Sequence, residues 1–226
     1  MEDHFRQVAS LIGDPTRATI LWSLLDGRAL TATELAMAAD TSPQNISMHI
    51  SKLLQAGLLQ TKHQGRHRYF SFANKEIAYA IEAMATITVR NEIINESSKD
   101  ENSGIKYCRT CYDHLAGKVA VEMTDIFLRR KLIIQDGNEF AVTRKGKGWF
   151  FDQGIQVDIL SQARRSLIRP CLDWSERRYH LAGSLGAALL KKMENEDWIR
   201  RNKQSRAVII TGKGQKKFYE FFKLTV

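Results

Sequence analysis

At 226 residues, with 43% hydrophobic and 26% charged side chains, the chain is long enough for two buried cores and polar enough to be soluble. No apolar stretch (Leu185–Leu190 is among the longest) approaches the roughly 20 residues of a membrane helix. Met1-Glu2-Asp3-His4-Phe5-Arg6 lacks the succession of an export signal, so the expectation is a cytoplasmic protein with no membrane partner.

Apolar positions recur at helical spacing over 5–12 and 15–26, and Asp14-Pro15 reads as a cap followed by a first helical residue, with Gly27 as the stop. Thr31 and Glu34 have the spacing of a capping box ahead of Leu35, Ala36 and Ala39. After a break at Asp40-Thr41, a helix opens at Ser42-Pro43, carries Ile46, Ile50, Leu53 and Leu54 inward, and stops at Gly57. Residues 58–63 and 67–72 read as strands around the turn Gln64-Gly65-Arg66. Two helices at a sharp turn followed by such a hairpin make a winged helix-turn-helix. Residues 75–94 form a further amphipathic helix, and Ser97–Gly104 has no apolar residue and reads as a linker.

Charge supports the same placement locally, though not in bulk. The formal charge is +9, yet residues 1–96 hold 9 Lys and Arg against 10 Asp and Glu. Between Thr41 and Lys75, however, Lys52, Lys62, Arg66, Arg68 and Lys75 face no acid at all. A helix entering the major groove needs short polar side chains at its start, and Ser42, Pro43, Gln44, Asn45, Ser47, Met48 and His49 occupy those positions. Gln44 and Asn45 can pair bidentately with adenine, and Ser47 can bond either base edge. Lys52, Lys62, Arg66 and Arg68, with His67 beside them, would grip phosphate.

Residues 5–73 resemble the ArsR/SmtB family of bacterial repressors. The likeness rests on Leu11–Leu21, on Ser42–Leu53 with Ala56-Gly57-Leu58-Leu59, and on Gly65–Phe70. It implies homodimers on double-stranded operator DNA, paired through the first and last helices, which would explain an unpartnered stripe over 77–94. The family's metal sensors carry cysteines before the recognition helix or His and acidic ligands on the last helix. Here Thr31–Ala39 has no cysteine, and 77–94 offers only Glu82 and Glu92.

Past the linker the chain repeats itself. His114-Leu115-Ala116-Gly117 recurs as His180-Leu181-Ala182-Gly183, and Thr143-x-x-Gly146 as Thr211-x-x-Gly214. Each copy reads as helix–hairpin–helix, offset by 66 to 68 residues. The fold class is therefore mainly α with short β-hairpins (α+β): a winged helix-turn-helix over 1–96, a linker over 97–104, and a winged-helix-like tandem repeat over 105–226, split at about 168/169.

All three cysteines lie in this second half, and their number and scarcity suit a reducing compartment. Cys108, Cys111 and His114 stand one turn apart, and Cys171 could complete a tetrahedral site for zinc or another soft metal. Against it, a fixed 66-residue offset matches Cys108 and Cys111 to Trp174 and Arg177, so His114 and His180 read equally well as structural hydrogen bonders. A Cys108–Cys111 redox pair and inert thiols stay open. So does an organic effector held among Tyr107, Tyr112, Trp149, Trp174, Tyr179 and His180. No phosphate loop, dinucleotide glycine pattern, nucleophile elbow or HExxH occurs, so no enzyme is expected. The expectation is a DNA-binding repressor released by an effector; the rival is a sequence-tolerant architectural binder with none.

Overall fold

Capping chemistry sets the helix boundaries at the start of the chain. In the computed structural model, which describes residues 2–88, 104–137, 139–202 and 205–226, the chain divides into two compact units, Met1–Met84 and Ala85–Val226. The first begins with α1 (Glu2–Ile12) and α2 (Pro15–Ser23), the latter capped by Asp14, whose carboxylate accepts from the Arg17 amide at 2.9 Å. The expected helix to residue 26 tightens instead into a 3₁₀ turn, Leu24–Asp26, which Gly27 closes at φ +80°.

Then come β1 (Leu30–Thr31), α3 (Ala32–Ala38), α4 (Pro43–Gln55), β2 (Leu59–Gln64), β3 (His67–Phe72) and α5 (Lys75–Thr88). The capping box forms: Glu34 accepts from the Thr31 amide at 2.7 Å and the Thr31 hydroxyl accepts from the Glu34 amide. Ser42 caps α4 by accepting from the Asn45 amide. The sheet order is β1-β3-β2, all antiparallel; β1, too short to announce itself, pairs Leu30 with Phe70. Ile20, Leu21, Leu24, Leu25, Leu35, Ile46, Leu53 and Phe72 fill the core. The rest of the expected 75–94 helix, and all of the 97–104 linker except Gly104, lie outside the described residues.

The second unit runs α6 (Gly104–Tyr107), β4 (Arg109–Cys111), β5 (His114–Ala116), α7 (Lys118–Arg129), β6 (Ile133–Asp136), β7 (Glu139–Val142), α8 (Arg144–Asp152) and α9 (Val157–Leu160). It continues with β8 (Arg169–Leu172), β9 (Tyr179–Ala182), α10 (Gly183–Asn195), β10 (Ile199–Arg201), β11 (Val208–Ile210) and α11 (Gly212–Phe222). Each expected hairpin is present, and a second hairpin, β4–β5 or β8–β9, stands ahead of each long helix. Strands of three or four residues carry too little alternation to be read in advance.

Corresponding positions in the two runs do the same work. Thr143 caps α8 and Thr211 caps α11, each accepting from a glycine amide three residues on, Gly146 or Gly214. Each threonine hydroxyl also donates to a carbonyl of the turn before the hairpin, that of Lys131 or Asp197. Gly117 and Gly183 open α7 and α10 at φ +86° and +90°, against the backbone of Lys106–Tyr107 and of Ser166–Ile168. The runs exchange partners: β5 lies beside β9, α7 packs on β9, and α10 packs on β5. One core, including Phe127, Phe150, Leu185, Trp198 and Phe218, is shared between them. Among the described residues, no helix is long and apolar enough to cross a membrane.

Candidate functional site

In the first unit, α4 turns a polar face outward at its N-terminal end. Ser42, Pro43, Gln44, Ser47 and Lys52 are exposed, Met48 is half exposed, and Asn45 is half-buried. Asn45 is partly committed, since its Nδ2 donates to Thr41 Oγ1 at 2.7 Å. Ser47 donates to the Pro43 carbonyl and keeps its oxygen for accepting. On the β2–β3 hairpin, whose turn at Gly65 has φ +58°, Lys62, Arg66, His67 and Arg68 are all exposed.

His49 does not belong to this face. It is 7% exposed, and its Nδ1 lies 3.4 Å from Asp14 Oδ1. With Ile46, Ile50 and Leu53 it forms the buried stripe of α4, so it packs the helix onto the domain instead of meeting a base.

In the second unit, strand pairing brings four soft donors together. Cys111 lies opposite His114 on β4–β5, and Cys171 lies opposite His180 on β8–β9. One donor atom from each of these side chains falls within 4.8 Å of all the others, and the two imidazole Nε2 atoms are 3.1 Å apart. Both histidines are fully buried. Each turns its other nitrogen to a carboxylate of its own hairpin: His114 Nδ1 is 3.3 Å from Asp113 Oδ1, and His180 Nδ1 is 3.0 Å from Asp173 Oδ2.

Those carboxylates are anchored in turn. Arg165 binds Asp113 at 2.6 Å. Asp173, fully buried, accepts from the Gly117, Ser175 and Glu176 amides and from the Ser175 hydroxyl, and lies 3.0 Å from the Arg109 guanidinium. Burial works against the Asp113 charge, but His114 and Arg165 bring its carboxyl down to about 2. The Cys111 thiol, against the effect of burial and helped by the His180 charge, holds Cys171 well below the usual thiol range. Burial lowers His180, yet the Cys171 thiolate and Asp173 push it up to about 9.

Two expectations are corrected here. Cys108 is not part of the cluster; it lies in the hydrophobic core, where burial pushes its thiol up to about 12 and makes it a poor ligand and nucleophile. His180, expected among aromatic pocket residues, takes the fourth place. In the sequence, Arg-x-Cys-x-Asp occurs twice ahead of a His-Leu-Ala-Gly, as Arg109, Cys111, Asp113 before His114 and as Arg169, Cys171, Asp173 before His180. Two residues separate the paired Cys111 and His114 but eight separate the paired Cys171 and His180, so the histidines stand 66 residues apart and the cysteines 60.

The expected aromatic pocket does not assemble. Trp149 packs among Phe127, Phe150 and Phe222, Tyr179 meets Phe140 edge-on, and Trp174 is covered by the Arg109 guanidinium. Tyr107 packs against the core, and Tyr112 forms the β4–β5 turn at φ +58°. None of them lines the apolar void of about 20 Å³ beneath Leu115 and Leu181, or the surface cleft between Gln153 and Lys192.

Residues 12–61 match the family model described as a helix-turn-helix domain. Over 215 residues, 95% of each chain, the sequence is 40% identical to the uncharacterized HTH-type transcriptional regulator YdfF of Bacillus subtilis. It is 28% identical over 88 residues, 39% of this chain and 74% of the relative, to the HTH-type transcriptional regulator CmtR of Mycobacterium tuberculosis. Among solved structures, HlyU from Vibrio cholerae covers 39% of this chain and 95% of its own, with 22% identity and a TM-score of 0.36. With a relative matching along nearly its whole length and a helix-turn-helix domain at its start, the chain belongs to the HTH-type transcriptional regulators.

Proposed function

We propose that the chain is a cytoplasmic repressor that binds operator DNA as a homodimer through residues 1–96. In this reading residues 105–226 form a tandem repeat that senses an effector. The observation that carries it is the outward polar start of α4 set in a window, Thr41–Lys75, that contains five basic residues and no acid. Gln44 would read a base edge with Ser47 and the Asn45 carbonyl beside it, while Pro43 and Met48 offer apolar contact to a thymine methyl. Lys52, Lys62, Arg66 and Arg68 would set affinity and its salt dependence.

Two substitutions separate these roles. Gln44→Ala is expected to cost about 1–3 kcal/mol on the cognate operator and little on unrelated DNA, relaxing sequence choice. Arg66→Ala should weaken binding to every sequence alike and reduce the salt slope by about one. Titrations in which both variants match the parent would remove α4 and the wing from the interface.

Dimerisation is supported by what the terminal helices leave uncovered. No residue of α1 is buried, Phe5 is 72% exposed, and Met84 and Ile87 of α5 are exposed as well. An apolar helical face in water usually marks a partner surface. Phe5→Glu combined with Ile87→Glu should convert a dimer into a monomer by sedimentation or native mass spectrometry and lower operator affinity; a double variant that stays dimeric would locate the interface elsewhere.

A further inference from the structure

Two neutral imidazoles whose Nδ1 atoms both face carboxylates present lone pairs to each other at Nε2, and at 3.1 Å that arrangement requires positive charge between them. A proton can supply it, but the two sulfurs converge on the same point. We propose that Cys111, His114, Cys171 and His180 form a tetrahedral site for one thiophilic divalent cation of the zinc type, each hairpin giving one sulfur and one nitrogen.

The dimensions and the chemistry of the donors agree. Bonds of about 2.0 Å to nitrogen and about 2.3 Å to sulfur give tetrahedral edges of roughly 3.3 Å between nitrogens and roughly 3.8 Å between sulfurs. The observed nitrogen separation is 3.1 Å, and all four donor atoms lie within 4.8 Å of one another. Sulfur and imidazole select against magnesium and calcium, and an S₂N₂ tetrahedron suits zinc. Charge narrows the choice further, because two thiolates and a divalent cation make a neutral buried centre, whereas a monovalent ion would leave a net anion in the core. The surrounding carboxylates are already balanced, Asp113 by Arg165 and Asp173 by Arg109. They also stand where ligating histidines commonly have a carboxylate partner, fixing the ring and its tautomer.

The site bridges the two copies, since β5 and β9 are neighbours and each copy's long helix packs on the other's hairpin. A cation there ties the copies together. Resting on the regulator reading above, that cation is the effector.

The test is metal titration of the full-length chain, stripped by chelator under reductant. One Co²⁺ per chain is expected, with the strong visible bands of tetrahedral cobalt and a thiolate charge-transfer band, both erased by one equivalent of Zn²⁺. Cys111→Ser and Cys171→Ser should each weaken binding on the order of 100-fold or abolish the charge transfer, with circular dichroism reporting that the fold is retained. Asp113→Asn should weaken it about 10–100-fold. Cys108→Ala should titrate like the parent. Faint octahedral bands, or unchanged titration of both serine variants, would overturn the site. Should either serine variant unfold, the doubly substituted His114→Asn, His180→Asn chain replaces it, and parent-like binding there is equally fatal. Operator affinity with and without Zn²⁺ forms a separate arm, expected to differ about tenfold or more. No difference, with the site intact, overturns the effector role alone. An absence of operator binding in either state overturns the regulator reading and leaves the cobalt result standing.

Discussion

Replacing Asp173 with alanine is expected to destabilise the second unit by about 3–5 kcal/mol, the cost of breaking a buried ion pair from one side. The residue is fully buried, and its carboxylate collects three backbone amides, one hydroxyl and an imidazole as well as the Arg109 guanidinium. Its removal takes away the carboxylate that faces the fully buried Arg109 guanidinium, whose other contacts include the Ile105 carbonyl, the Ser175 hydroxyl and the face of Trp174. The converse change should be milder. In Arg109→Met the carboxylate keeps its amide and hydroxyl donors, and hydrogen bonds from several N–H groups alone can hold an anion in the interior. Urea denaturation of the full chain, followed by helix circular dichroism, should therefore rank parent, Arg109→Met and Asp173→Ala in falling order. Equal losses in the two variants, or less than about 1 kcal/mol for Asp173→Ala, would contradict the role given to this carboxylate.

How far the sequence discloses such a centre depends on whether the signal is local. The caps at Asp14, Thr31, Ser42, Thr143 and Thr211 involve side chains and amides three residues apart, so neighbouring letters suffice to place them. The wing was readable for the same reason: two alternating runs meet at a glycine with positive φ. His49 has a local signal of the same kind, at odds with its polarity. It stands three residues after Ile46 and four before Leu53, on the apolar stripe, and its polarity suggested the opposite face. The Cys₂His₂ cluster could not be placed by spacing, because its members are joined by two hairpins and by the pairing of one copy with the other. A six-residue lengthening between the cysteine and the histidine of the second hairpin hides the match between Cys111 and Cys171. The arginine two residues before each cysteine and the carboxylate two residues after it, Arg109 and Asp113 against Arg169 and Asp173, keep the register.

The repeated Thr-x-x-Gly has its own consequence, and Gly146→Ala should cost about 3 kcal/mol, at the upper end of overpacking changes. A Cβ at Gly146 would stand on the Leu132 carbonyl oxygen, and one at Gly214 on the Trp198 carbonyl oxygen, far inside van der Waals contact. Both obstacles are backbone. They cannot rotate aside, so the helix must lift from the hairpin, and the threonine cap that spans the two loses its bond to the Lys131 or Asp197 carbonyl. Helix propensity works in the other direction, since alanine is favoured over glycine by about 1 kcal/mol within a helix. Gly148 separates the two effects. It lies in the same α8, two residues along, with nothing within 4 Å of where its Cβ would be, so Gly148→Ala should be neutral or stabilising by up to about 1 kcal/mol. Opposite signs at Gly146 and Gly148 in thermal melts would show that close approach of α8 to the Leu132 turn, and not helix propensity, requires the first glycine. A loss shared by both positions would point to the helix itself.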